Sequence, residues 1–514
     1  MLRFVALIVL FLLSSACATT VGTLHTFRPA DRPKTILVAV DGTGNSAISR
    51  TNTARLYEAF EASGAGFEAP LATHYSEGVG SRGSPLGLMA GAGMNSDVRQ
   101  AYDFLSRTYR PNDTLIFTGF SRGAYAVRIL AGLLAVGGIP NASHMHFANR
   151  ERLIRELFAA YLTPADLCDL EGGSCPRRER MRAIYDRYGV KPFDLDQGVR
   201  IRAMAIWDTV EAMGAPDRTE DPTENLKRYM VGRCNVDFVF HALALHDNRA
   251  TSFTPIFMDG PTMIRACPNE KFGKKSEVYE TWFSGAHADV GGSYDWKRMI
   301  DGALPTVSYN WMIDWLKKKL GAELKRVNAL ALAYEDVDSP IHDAREALLA
   351  YKILDRNFRA PLAYQSLAKI PSAPRIHISA VERLLVVDAI DGSTPRCPRG
   401  SAPESGRKLL CSAEIGATGL VAEMLAPGRD CLSRTKAGWQ LKPGQTCIVI
   451  ECRDQTLSNY YCGNEREYAV CRNLDLAAAP SGPAPPKQGN AVCPNPDVQT
   501  ELRRFLSTTA PVSL

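Results

Sequence analysis

Gly119-Phe120-Ser121-Arg122-Gly123 carries the pattern G-x-S-x-G, and its flanks give the pattern a mechanical meaning. An apolar run, Thr114 to Phe120, precedes it and an Ala/Leu-rich run, Ala124 to Val136, follows it, so Ser121 sits where a buried strand turns sharply into a helix. Such a turn lifts the hydroxyl clear of the backbone in a strained conformation, and the flanking glycines let neighbouring chain pass close by. A serine hydroxyl is a poor nucleophile until a base removes its proton and a carboxylate holds that base in the right tautomer. Asp208 directly follows the apolar run Ile201 to Trp207, and His287 directly follows Val278 to Ser284, so an acid and a base stand after later strands, in the order nucleophile, acid, base. Of the nine histidines, His25, His74, His144 and His146 precede that acid, while His342 and His377 read as helical or loop positions after the sheet. His241 and His246 remain competitors, within a stretch from Phe238 to His246 that reads as a helix.

The oxyanion of acyl transfer needs N–H donors fixed in advance. Arg122 N–H, next after the nucleophile, is one candidate, and the Asp41-Gly42-Thr43 turn after the apolar run Thr35 to Val40 is the candidate source of a second. Asp41 could equally do no more than cap that turn. Asp41, Gly119, Gly123 and Asp289 are expected to support the site. A hydrolytic metal centre built from Asp41, Asp208, His287 and Asp289 has suitable residue types but leaves the Ser121 turn without a purpose. The expected site therefore uses neither metal nor organic cofactor.

The elements that must position these residues alternate. Strand-like runs are separated by helical patterns at Asn52 to Ser63, Val98 to Tyr109, Arg150 to Tyr161, Arg177 to Tyr188, Ser308 to Leu324 and Asp343 to Phe358. That alternation predicts an α/β fold with a mostly parallel sheet between layers of helices, and the G-x-S-x-G turn with its serine, acid, histidine order makes the expected form a three-layer sandwich of the α/β-hydrolase type over residues 34–390. A charged helical insertion over about 140–200 is a candidate lid. Beyond 390 the composition shifts. Eight of the 13 cysteines fall between Cys397 and Cys493, which predicts a small disulfide-rich module at 391–478, and a Pro-rich linker and tail follow at 479–514.

At the N-terminus a basic start, Met1-Leu2-Arg3, the apolar run Phe4 to Leu13 and the small residues Ser14-Ser15-Ala16 lead into Cys17, the form of an export signal over residues 1–17. Lipidation of Cys17 would anchor the chain on the periplasmic side of the cell envelope, as an outer-membrane lipoprotein, whereas simple cleavage would release it to the periplasm. Either route leaves twelve of the 13 cysteines to pair. With 60 Lys+Arg against 55 Asp+Glu over 514 residues and no long basic block, nothing points to a nucleic-acid partner. Oligomeric state leaves no mark in the sequence.

Six segments in order, DGTGN at Asp41 to Asn45, YSEGVG at Tyr75 to Gly80, GFSRGAYAVR at Gly119 to Arg128, WDTV at Trp207 to Val210, HALALHDNR at His241 to Arg249 and WFSGAHADVGGSY at Trp282 to Tyr294, resemble the catalytic domain of the type VI secretion phospholipase effectors of the first lipase group. The resemblance implies a serine esterase acting on glycerophospholipids, with Ser121, Asp208 and His287 at the triad positions and Gly78, Arg249, Asp289 and Gly291 as scaffold. Those effectors are delivered through a contractile injection machine, whereas this chain begins with an export-signal pattern. The expected activity is an envelope serine hydrolase acting on a lipid or other ester. The alternative is a non-enzymatic protein that binds lipid, glycan or a partner on the same scaffold.

Overall fold

The computed structural model describes residues 23–27, 33–64 and 71–78 with short gaps, 92–163, 176–210 with a short gap, 235–260, 276–293, 304–321, parts of 323–380, and strands between 432 and 460. The strands are β1 (Thr23–Phe27), β2 (Thr35–Val40), β3 (Leu71–Ser76), β4 (Thr114–Phe120), β5 (Ile139–Pro140), β6 (Pro192–Phe193), β7 (Ile201–Trp207), β8 (Val236–Ala244), β9 (Glu277–Phe283), β10 (Arg375–His377), β11 (Leu432–Thr435), β12 (Gly438–Leu441), β13 (Ile448–Glu451) and β14 (Leu457–Tyr460). The helices are α1 (Asn52–Gly64), α2 (Ala92–Thr108), α3 (Arg122–Gly137), α4 (Phe147–Leu162), α5 (Pro176–Tyr188), α6 (His287–Gly291) and α7 (Leu304–Leu320).

Ten strands form one sheet in the order β1-β3-β2-β4-β7-β8-β9-β10-β13-β14. Every pairing from β3 through β13 is parallel, and the outer strands β1 and β14 run antiparallel. The central strands are continuous apolar runs because both faces are covered. In β2, Ile36, Val38 and Val40 join the core under α2, α3, α4 and α5, while Leu37 and Ala39 join the core under α1 and α7. Register carries the first core across the sheet: Val38 lies beside Phe117, Phe117 beside Met204, and Met204 beside Val239. From β2 the chain passes through α1 to β3 on one side, then through α2 to β4 on the other. The chain leaves the paired carboxyl ends of β2 and β4 toward opposite faces, α1 into one core and α3 into the other, at the point where the strand order reverses.

The sandwich matches the expected fold class, and β2, β4 and β7 lie where the apolar runs predicted them. Three readings differ. The stretch from Phe238 is the interior strand β8, not a helix, because a strand buried on both faces lacks the alternation that would mark it. His377 ends strand β10 inside the sheet. The helix expected from Asp343 to Phe358 is described only over 343–347, where Ala344–Ala347 form a single tight turn, and its remainder lies outside the described residues. The sheet also runs past both boundaries set at 34 and 390, through β1 at one edge and β13–β14 at the other.

That last extension is anchored by a buried carboxylate. Glu451 of β13 accepts hydrogen bonds from Thr281 Oγ1 at 2.5 Å and from the indole N–H groups of Trp311 and Trp315, each at 2.9 Å. All 13 cysteines, Cys17 included, lie outside the described residues, as do the export signal, the linker and tail, and most of the cysteine-rich segment. Among the described residues no helix is long and apolar enough to cross a membrane.

Candidate active site

Ser121 stands between β4 and α3 with φ 59° and ψ −126°, a conformation costing roughly 1–3 kcal/mol outside glycine. Its surroundings over-determine it. Ser121 N–H donates to Trp207 O at 2.9 Å, and Tyr125 N–H returns to Ser121 O at 3.2 Å. A Cβ on Gly123 would stand 2.1 Å from Val40 O, and one on Gly119 would stand 2.7 Å from Gly123 O. The two motif glycines therefore exist so that the first turn of α3 can lie against the end of β2 and close on β4.

Past the end of β9, Ser284-Gly285-Ala286 lead into the short helix α6, which opens with His287. Its backbone N–H donates to Asp247 Oδ2 at 3.0 Å. The imidazole lies between the rings of Phe120 and Phe253, with centroids 4.6 and 5.0 Å away. Nε2 lies 2.7 Å from Ser121 Oγ, and Nδ1 is hydrogen-bonded to Asp208 Oδ2. Since a carboxylate only accepts, Nδ1 carries the proton and Nε2 is the acceptor facing the serine hydroxyl. Burial pushes the imidazole below its ordinary pKa, with Asp208 opposing that shift, so the neutral base is the resting form.

Asp208 follows β7 with a positive φ of 41° and is fully buried. Its Oδ1 accepts from Ala244 N–H at 2.9 Å and from Arg359 Nη1 at 2.6 Å. Burial would raise its pKa, but the Arg359 charge and the bond from His287 outweigh it and hold the carboxyl at about 2.

The competing histidines brace this arrangement. His241 accepts Thr209 N–H on Nε2 at 3.1 Å and reaches Glu280 through Nδ1 at 2.8 Å, so it steadies the backbone next to Asp208. His246 accepts Gly285 N–H on Nδ1 at 3.0 Å and steadies the approach to His287. Asp289 accepts Ala286 N–H at 2.9 Å and is paired with His342 at 2.6 Å, which fixes the same turn from its other side.

On the β2 side, Arg122 is the first residue of α3, at the positive end of that helix. A Cβ on Gly42 would stand 3.1 Å from Ser121 Cβ, so the turn is close to the Ser121 side chain. The Gly42 N–H, however, donates to Asp41 Oδ1 at 2.7 Å and is engaged there. Thr43 lies outside the described residues. Asp41 also accepts from Thr51 Oγ1 and Tyr75 Oη, both at 2.6 Å, and burial pushes its carboxyl up to about 6 against those bonds.

Three contributors were missing from the sequence reading or were only scaffold there. Asp247 holds the His287 N–H and is itself clamped by Arg249, with Nε 3.0 Å from Oδ1 and Nη2 2.7 Å from Oδ2. Asp247 and Arg249 do sit inside the segment HALALHDNR, so adjacency to a motif could have found them. Arg359 stands in no motif and only the fold brings it in. Among the described residues no group of three or more His, Cys, Asp or Glu side chains is arranged to hold a metal ion. Chemically, a hydroxyl that can pass its proton to a neutral imidazole backed by an ionised carboxylate is equipped to attack a carbonyl carbon.

A family model described as the T6SS phospholipase effector Tle1-like catalytic domain matches residues 34–315. An uncharacterized protein of Saccharomyces cerevisiae is 25% identical over 248 residues, 43% of this chain and 33% of that protein, so the chain spans about a third of that relative's length. Among solved structures, an uncharacterized protein from Pseudomonas aeruginosa is 15% identical with a TM-score of 0.34, over 70% of this chain and 53% of that one. The acyl-protein thioesterase 2 of Zea mays is 13% identical with a TM-score of 0.28, over 59% of this chain and 99% of that one.

Proposed function

We propose, from the premise that this chain belongs to the T6SS phospholipase effector Tle1-like catalytic domain family, that it hydrolyses carboxylic esters of lipids, phospholipids foremost, through an acyl-enzyme on Ser121. The observation that carries the reading is the continuous hydrogen-bonded chain from Ser121 Oγ through His287 to Asp208. Ser121 Oγ attacks the acyl carbon as its proton passes to His287 Nε2. The same proton then leaves with the alcohol as the ester bond breaks, and water attacks the acyl-enzyme with His287 again as base. Asp208, held ionised, stabilises the transient imidazolium. Arg122 N–H and the turn at Gly42 and Thr43 are assigned to the oxyanion; Gly42 N–H would have to leave Asp41 to serve, whereas Arg122 follows the nucleophile directly.

The test is fluorophosphonate labelling together with turnover of a soluble ester and of phospholipid vesicles. Ser121→Ala should lose the label and at least about 10³-fold in turnover. Labelling that persists in the variant, or equal turnover, overturns the reading. The proposal extends to place. The basic start, the apolar run Phe4 to Leu13 and Cys17 support export and lipid anchorage in the cell envelope. Intact-mass measurement of the mature chain should find a diacylglyceryl-modified Cys17 as its first residue, and an unmodified Met1 start would refute it.

A further inference from the structure

Arg359 lies beyond residue 315, where the family match ends, yet its guanidinium reaches the centre of the site. Nη1 donates to Asp208 Oδ1 at 2.6 Å and to Ala244 O at 2.9 Å, while Nε and Nη2 both donate to Phe253 O, at 3.0 and 2.6 Å. Its backbone N–H adds a bond to Asp247 O at 3.1 Å. One side chain thus ties together the acid, the end of β8 and the segment whose Phe253 ring lies against His287. The side chains of Arg359 and Asp208 are both 0% exposed. Taking a guanidinium fully out of water is costly even when a carboxylate answers it, and well-packed apolar residues in place of such a pair are often at least as stable. Stability alone therefore does not account for an arginine here.

Its effect on Asp208 is geometric. Oδ1 is held by Arg359 and by Ala244 N–H, which leaves Oδ2 for His287 and prevents the carboxylate from turning away. We propose that Arg359 is a positioning residue for the Ser121–His287–Asp208 relay, aiming Asp208 Oδ2 at His287 and keeping Phe253 against the imidazole. The inference rests on the serine-hydrolase reading above.

The charged and titratable groups around the pair define the expected pH response. Arg359 and His287 face Asp208, Asp247 and Tyr364 face Arg359 beside it, Asp247 and Arg249 face His287, and His241 stands behind Thr209, itself backed by Glu280. Removing Arg359 takes away the cation that opposes protonation of Asp208, and takes a positive charge away from the imidazole. Both changes move loss of the working base to higher pH.

The experiment uses the full chain with Arg359→Met and Arg359→Lys. Two readings are taken against pH: kcat/KM on a soluble ester, and the low-field proton resonance of His287 Nδ1–H in the resting protein. Arg359→Met should lower kcat about 10²-fold with KM changed less than about threefold. Its acid limb should move up by about one pH unit, and the low-field proton should vanish into exchange. Arg359→Lys, which keeps the charge but not the fork, should fall between. A low-field proton that stays as in wild type overturns the proposal whatever happens to kcat, since an arginine acting only through its charge would move the acid limb while leaving the hydrogen bond from His287 Nδ1 to Asp208 Oδ2 in place. If Arg359→Met does not fold, the same criterion applies to Arg359→Lys. Failure of the serine-hydrolase reading looks different: wild type would then turn over no ester while the His287 proton still responded to Arg359.

Discussion

Asp41 and Asp208 end the two strands on either side of β4, both are fully buried, and each accepts hydrogen bonds from three donor residues, yet their carboxyls settle far apart, at about 6 and about 2. Burial raises both. Around Asp41 the donors are neutral: Gly42 N–H, Thr51 Oγ1 and Tyr75 Oη recover only part of the cost of burying the charge. Around Asp208, the guanidinium of Arg359 and the imidazole of His287 reverse it. With three donor residues each, the two acids differ in that one partner of Asp208 is a cation. On the mechanism proposed above, the acid that stabilises an imidazolium is the one given a cation, and the acid that props the neighbouring turn is not.

The largest expected effect sharpens this contrast. Asp208→Asn should lower kcat by about 10³–10⁴-fold, because an amide can donate to Nδ1 and favour the wrong tautomer, and it leaves Arg359 buried without its counter-charge. Asp41→Asn should cost less than about tenfold on the same substrate, since no charge there enters the reaction. Equal losses in the two variants would break the comparison.

A smaller effect asks whether neutral donors alone can anchor a buried acid elsewhere in the sheet. Glu451→Ala leaves Thr281, Trp311 and Trp315 with buried donors unmet and should lower stability by about 3–6 kcal/mol in urea unfolding. A loss under about 1 kcal/mol would show that β13 does not belong to the cooperative sheet.

What could be read from sequence follows how local each feature is. The Ser121 turn is written in five consecutive residues, because the steric demands at Gly119 and Gly123 come from their own strand and helix and from the end of β2 beside them. The strands β4 and β7 were legible to the residue as apolar runs. The interior strand β8 was not, since a run buried on both faces has no period that separates it from a buried helix. β3, with Thr73, His74 and Ser76 among its buried residues, carries too little apolar signal to be seen as a strand. Arg359 lies 151 residues from Asp208 and 115 from Ala244, and no spacing rule reaches that far; the fold alone reveals it. The sheet edge at β13 was hidden for a similar reason, because cysteine density drew a boundary where the backbone pairing does not.

The last prediction turns the two carboxyls against each other through the pH dependence of stability. Asp41 has its folded pKa raised from 3.8 to about 6, so the folded state binds that proton more tightly than the unfolded chain does. Its contribution is therefore most favourable below pH 3.8 and declines as the pH rises to about 6, by on the order of 3 kcal/mol in all. Asp208 has the opposite sign: with its folded pKa lowered to about 2, it adds stability above pH 3.8 that is lost as the pH falls toward 2. Urea unfolding of wild type and Asp41→Asn should then diverge between about pH 4 and pH 6.5, the variant gaining on wild type as the pH rises, whatever fixed offset the amide introduces by failing one of the three donors. Asp208→Asn should run the other way in acid, approaching wild type as the pH drops below 4. Parallel curves for Asp41→Asn would mean that its three neutral donors suffice to hold the buried carboxylate at its ordinary pKa, and the distinction between the two strand ends would have to rest on geometry alone.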